Sequence, residues 1–141
     1  MIWKQNATTQ RLNETSQGTM LEHLGIVFTE VGDDYAEATM PVDDRTVQPF
    51  GLLHGGASVS LSESLGSMAA NLCIEEPSRY AGVGIEINAN HLRSVAHGGR
   101  VIGRATPVRI GRRIQVWNID IRDLDERLVC TSRLTVAIVE R

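Results

Sequence analysis

Residues 48–73, Gln48-Pro49-Phe50-Gly51-Leu52-Leu53-His54-Gly55-Gly56-Ala57-Ser58-Val59-Ser60-Leu61-Ser62-Glu63-Ser64-Leu65-Gly66-Ser67-Met68-Ala69-Ala70-Asn71-Leu72-Cys73, hold the segment on which the fold turns. Apolar residues at 57, 61, 65, 68 and 72 recur every three or four positions, the stripe of an amphipathic helix starting at or near Gly55-Gly56. A surface helix shows several charged residues on its outer face, whereas this one carries Glu63 alone. It is therefore expected to be buried nearly all round. On a helical wheel Glu63 lies roughly 200° from Leu61 and shares a side with Ser60, Ser64, Ser67 and Asn71, a polar stripe opposite the core stripe.

Working outward, residues 8–23 fit an irregular helix or two short ones. Residues 26–31 and 35–42 are β-prone runs split by Gly32-Asp33-Asp34, a hairpin composition. Pro41 should end the second run or place it on an edge. Beyond the helix, strands are expected over 83–93, 100–108, 114–121 and 128–139, separated by His97-Gly98-Gly99, Gly111-Arg112-Arg113 and Asp123-Leu124-Asp125-Glu126. The order is strand, strand, helix, then a meander, an α+β chain of five or six antiparallel strands. One helix covers such a sheet only if the twisted sheet wraps around it, and the free edges left over favour pairing with a second copy.

The chain has 141 residues and a net charge of −3, which fits one domain spanning 1–141. Acidic residues are interleaved with the arginines, so no nucleic-acid partner is expected. No run approaches the roughly 20 apolar residues of a membrane span, and the start lacks a leader pattern, so the expectation is no membrane and a cytoplasmic location. Cys73 and Cys130 sit in apolar settings as buried free thiols. Histidines at 23, 54, 91 and 97 have no ligand spacing, so no metal is expected. There is no G-x-S-x-G elbow and no P-loop, and Gly82-Val83-Gly84 lacks the third glycine of a dinucleotide loop.

The chemistry gathers around the helix start. Gly55 and Gly56 admit close approach to backbone N–H groups that have no acceptor within the helix and carry partial positive charge. Such donors hold a developing oxyanion. His54 and Gln48 flank the intervening turn as hydrogen-bonding groups, and Glu63, if partly dried by a partner subunit, has the makings of a general base. The plainer alternatives are a Glu63 that points to solvent or pairs with an arginine, and a His54 satisfied by backbone. Arg93 and the arginines at 109, 112 and 113 are candidates for phosphate contacts or are simply solvated basic residues.

The segment 48–57 with Glu63 and Ser67, together with Met1-Ile2-Trp3-Lys4, residues 37–43, residues 84–91 and residues 130–134, resembles the hotdog-fold acyl-CoA thioesterases. The likeness covers nearly the whole chain. It falls in the bacterial branch containing 1,4-dihydroxy-2-naphthoyl-CoA hydrolase of menaquinone synthesis and the enterobactin-pathway proofreading thioesterase. The resemblance implies a hotdog fold, dimers whose sheets join edge to edge, and a homotetramer built as a dimer of dimers. It further implies an active site between subunits, with the Gly55 N–H polarising the thioester carbonyl and Glu63 acting as base or nucleophile. Gln48 and His54 would lie around the carbonyl and water, and Ser67 would assist Glu63. Phe50, Met68 and Leu72 would line the acyl pocket, and Gly82, His91 and Arg93 would lie on the substrate side. The substrate would be an acyl-CoA or a carrier-protein thioester, with no cofactor beyond the CoA it carries. A hotdog hydratase or dehydratase and a non-catalytic acyl-CoA-binding module are the other classes left open.

Overall fold

A computed structural model describes residues 1–141. The first two helices, α1 (Thr9–Ser16) and α2 (Met20–His23), are followed by strands β1 (Val27–Val31) and β2 (Ala36–Pro41). The long helix α3 (Gly55–Leu72) comes next, then β3 (Tyr80–His91), β4 (Arg100–Ile110), β5 (Ile114–Asp123) and β6 (Leu128–Glu140). All six strands join one antiparallel sheet in the order β1-β2-β4-β5-β6-β3. The sheet curls around α3, which touches β2 through β6.

The expected meander is corrected at one point: β3 pairs with β6 across the sheet and not with β4. The reason lies in the segment between them. His97-Gly98-Gly99 is not a hairpin turn. Gly98 N–H donates to Val42 O at 2.7 Å and Val42 N–H to Gly99 O at 2.9 Å, so the segment carries the chain past residues 51–53, just ahead of α3, to the side of β2. Gly98 adopts φ +92, which its lack of a side chain permits. Pro41 ends β2, as its missing donor requires.

On α3 the buried arc is wider than the apolar stripe. Leu61, Leu65 and Leu72 are buried, and so are Ser58, Ser62, Gly66, Ala69 and Ala70, while Met68 is only half-buried. Together with the buried Ala57 these buried residues span an arc of roughly 220° by helix geometry. Small residues make it possible, for a Cβ on Gly66 would sit 2.7 Å from Leu134 Cδ2 of β6. Ser60, Glu63, Ser64, Ser67 and Asn71 occupy the remaining arc and are half-exposed in the single chain.

The C-terminal end of α3 is closed by sequence-distant groups. At the C-terminus Lys4 N–H donates to Leu72 O at 2.9 Å and Gln5 Nε2 to Asn71 O at 2.6 Å. Trp3 stacks on Trp117 with ring centroids 6.3 Å apart and donates to Gly32 O, so the N-terminal segment plugs one end of the roll.

The two sheet edges differ. β1 is short, interrupted by a bulge after Phe28, and covered by α1, whose Asn13 carboxamide both donates to and accepts from the Phe28 backbone at 2.9 and 2.8 Å. β3 is long and holds no Lys or Pro, the usual edge protection, and it exposes Val83 by 49% and Ile85 by 59%.

Candidate active site

Before α3 the chain makes a tight hairpin. Gln48 N–H donates to Leu52 O and Gly51 N–H to Gln48 O, with Pro49 and Phe50 in the turn and Gly51 at φ +76, the geometry of a three-residue loop closed by a left-handed glycine. The Gln48 side-chain oxygen accepts the Phe50 N–H, and Phe50 stands 88% exposed at the tip. Val47 bridges Leu53, and Leu53 N–H donates to Val95 O, which anchors the hairpin to the segment before β4.

His54 follows as the cap of α3, with φ −71 and ψ 131. Its Nδ1 accepts the Gly56 N–H at 2.7 Å, and its backbone O accepts the N–H groups of Ala57 and Ser58. The backbone-satisfied alternative for His54 thus describes one ring nitrogen. With Nδ1 occupied as an acceptor, a neutral ring carries its proton on Nε2 and presents it as a donor. Of the N–H groups opening the helix, Gly55 is left without an acceptor. The His91 ring from the end of β3 lies against it, since a Cβ on Gly55 would come within 2.9 Å of His91 Nε2.

Two turns along, Glu63 lies over β3. A Cβ on Gly84 would collide with Glu63 Oε1, so that glycine is the seat of the carboxylate. The strand bulges immediately after, between Gly84 and Glu86. No charged group neutralises Glu63, and burial alone pushes its carboxyl above the usual range. Ser67, one turn further, shares the open stripe. Gly84 escaped the sequence reading, which placed Gly82 on the substrate side. Gly82 N–H and O are both held by the Asn71 carboxamide, at 2.9 and 3.1 Å. The signal was present in the two glycines alternating along a β-prone run, a mark of close approach to a strand.

Leu72 is buried in the core, Met68 borders the open stripe, and Arg93 is exposed just past β3. A cleft of about 910 Å³ in the single chain contains none of these side chains. It lies at the far end of α3, lined by Lys4, Cys73, Ile74, Arg112, Arg113 and Ile138 among others. Burial pushes the Cys73 thiol there up to about 11, which keeps it protonated and unreactive at neutral pH. No helix is long and apolar enough to cross a membrane.

One long helix wrapped by a six-stranded antiparallel sheet is the hotdog fold. Residues 50–130 match the thioesterase superfamily. The chain belongs to that superfamily, and its reaction is thioester hydrolysis. Among its relatives, it is 56% identical to 1,4-dihydroxy-2-naphthoyl-CoA hydrolase of Escherichia coli over 99% of this chain and 100% of that one. It is 55% identical to a proofreading thioesterase of Cronobacter sakazakii, covering 99% of both chains. The crystal structure of a thioesterase from Haemophilus influenzae superposes with a TM-score of 0.94 at 51% identity, covering 99% of this chain and 96% of that one.

Proposed function

We propose that the chain hydrolyses aromatic acyl-CoA thioesters, with 1,4-dihydroxy-2-naphthoyl-CoA of menaquinone synthesis as the substrate, at a site shared by two subunits. The observation that carries this reading is the Gly55 N–H, the one donor at the start of α3 left without an acceptor. A thioester oxygen seated there accepts that hydrogen bond and gains from it most when it becomes an oxyanion. Glu63 takes a proton from water as the water oxygen adds to the carbonyl carbon, or adds to that carbon itself. The C–S bond then breaks and CoA leaves as the thiol, taking up the proton that Glu63 removed from water; where Glu63 itself has added, a water opens the resulting acyl anhydride, releasing the acid, restoring the carboxylate and supplying the thiol's proton. The His54 Nε2–H and Gln48 hold the carbonyl and water, and Ser67 supports Glu63.

The two halves cannot serve one carbonyl within a chain. Gly55 and Glu63 are eight positions apart, about 12 Å along the helix axis, whereas both must come within hydrogen-bond reach of the same carbonyl. Antiparallel pairing of β3 with the β3 of a second copy resolves this. His91 lies against Gly55 and Gly84 against Glu63, so a two-fold axis between positions 84 and 91 carries the partner's helix start toward Glu63. Two such dimers would make the tetramer. Lys4, Arg112 and Arg113 in the large cleft supply cations for the CoA phosphates. No cofactor enters the reaction.

With Nδ1 engaged by the Gly56 N–H, His54 is a donor and not a base, which favours hydrolysis over the hydratase reading. A second reading, proofreading of aryl carrier-protein thioesters, is supported by the Cronobacter relative at nearly the same identity. Free-thiol release from a hydroxynaphthoyl-CoA, benzoyl-CoA, a medium-chain acyl-CoA and an aryl carrier-protein thioester separates them. Fastest turnover of the naphthoyl thioester is expected. Preference for the carrier protein would establish the second reading, and release from none would overturn both.

A further inference from the structure

We propose that Asn71 is a positioning residue for Glu63, acting through β3. This rests on the reading of Glu63 as the base. Asn71 ends the polar stripe of α3, and its carboxamide makes three hydrogen bonds. Nδ2 donates to Ser67 O at 2.9 Å and to Gly82 O at 3.1 Å, and Oδ1 accepts the Gly82 N–H at 2.9 Å. The bidentate pair to Gly82 supplies the two bonds that a residue of a neighbouring strand would supply. Asn13 does the same to Phe28 on the opposite edge, so this fold uses a carboxamide twice to close a sheet edge from a helix.

The consequence differs at the two edges. Asn13 closes an edge that α1 already covers, whereas Asn71 closes only the start of β3. Gly84, two residues on, is the seat of the Glu63 carboxylate, and the strand bulges directly after it. Gly82 is a glycine for the same reason as Gly84, because a Cβ there would meet Asn71 Nδ2 at 3.1 Å and Val136 Cγ1 at 3.0 Å. Glu63 has no hydrogen-bonding partner of its own, so its place is set by the surface it leans on. Asn71 ties that surface to the same helix that carries the carboxylate. It also bars the first part of β3 from pairing with another chain, which confines subunit pairing to the strand beyond Gly82.

Asn71→Ala removes all three bonds. Its kcat for thiol release should fall about 10- to 100-fold with KM changed less than about threefold, the signature of a displaced reacting group. Hydrogen exchange in the peptide spanning positions 80–86 should quicken. Ile121→Val, which removes one methyl group from a fully buried β5 side chain, serves as the control for general loosening and should keep wild-type kcat. Equal kcat losses in the two variants, or a wild-type kcat in Asn71→Ala, would overturn the catalytic role. Unchanged exchange over 80–86 in Asn71→Ala would overturn the tie itself, whatever the enzyme hydrolyses. A wild type that releases no thiol while exchange still quickens would overturn the hydrolase reading and with it the role in catalysis.

Discussion

Nothing in its own chain neutralises Glu63, and burial against Gly84 raises its pKa. Two consequences have opposite signs. As the base, Glu63 must be ionised, so kcat/KM should fall as pH drops through its raised pKa, at a higher pH than an ordinary glutamate would give. Glu63→Gln, close in shape but unable to take a proton, should lower kcat by about 10² to 10⁴. For stability, a carboxyl with a folded pKa above its unfolded value favours folding fully below the unfolded value and loses that contribution as pH rises through the folded one. Glu63→Gln should therefore melt above wild type at pH 7, with the gap closing as pH falls toward 4. A variant that loses both activity and stability at neutral pH would contradict a desolvated base. The sequence made Glu63 conspicuous as the single charge on α3, but not what it touches, because its seat is a glycine on a strand more than twenty positions away.

At the scale of elements, α3 was legible because its period and its lack of charge agree, and its polar stripe emerged with the residues expected. The width of its buried arc was not, because Ser62, Gly66 and Ala70 look neutral until a sheet wraps close enough to need them small. Ser62 shows the cost: its hydroxyl is buried without a partner. Ser62→Ala should stabilise the protein by about 1 kcal/mol in a denaturant melt, through the removed unpaired hydroxyl and the better helix former. A lower midpoint would mean that Oγ finds a partner in solution. The place of β3 beside β6 was illegible for a different reason. Tight turns announce themselves locally, as at Gly111, whereas the His97-Gly98-Gly99 segment takes its conformation from Val42, far away in sequence.

For the whole molecule, the two edges carry the argument. β1 is capped, bulged and covered, whereas β3 beyond Gly82 offers open backbone flanked by Val83 and Ile85, as an edge meant for pairing would. Ile85→Lys should shift the protein to monomers in light scattering, and those monomers should be inactive because each would hold an oxyanion donor and a base about 12 Å apart. An active monomer would overturn the shared site. A free edge was foreseeable from one long helix against five or six strands, but which edge stays open depends on the cover of α1 over β1, tied there by Asn13, which no periodicity reveals.

The shared site is tested most directly by complementation. Gly55→Pro deletes the donor at a helix position where proline is at home, His54 already has the extended backbone that precedes a proline, and the added ring need displace only the exposed His91 side chain. Glu63→Gln deletes the base. Each variant alone should be nearly inactive. Mixed in equal amounts and allowed to exchange subunits, half the dimers carry one intact site of two, so about a quarter of wild-type activity should return if base and donor come from different chains. No recovery, with subunit exchange verified by mass spectrometry, would mean that both groups act within one chain and would contradict the account.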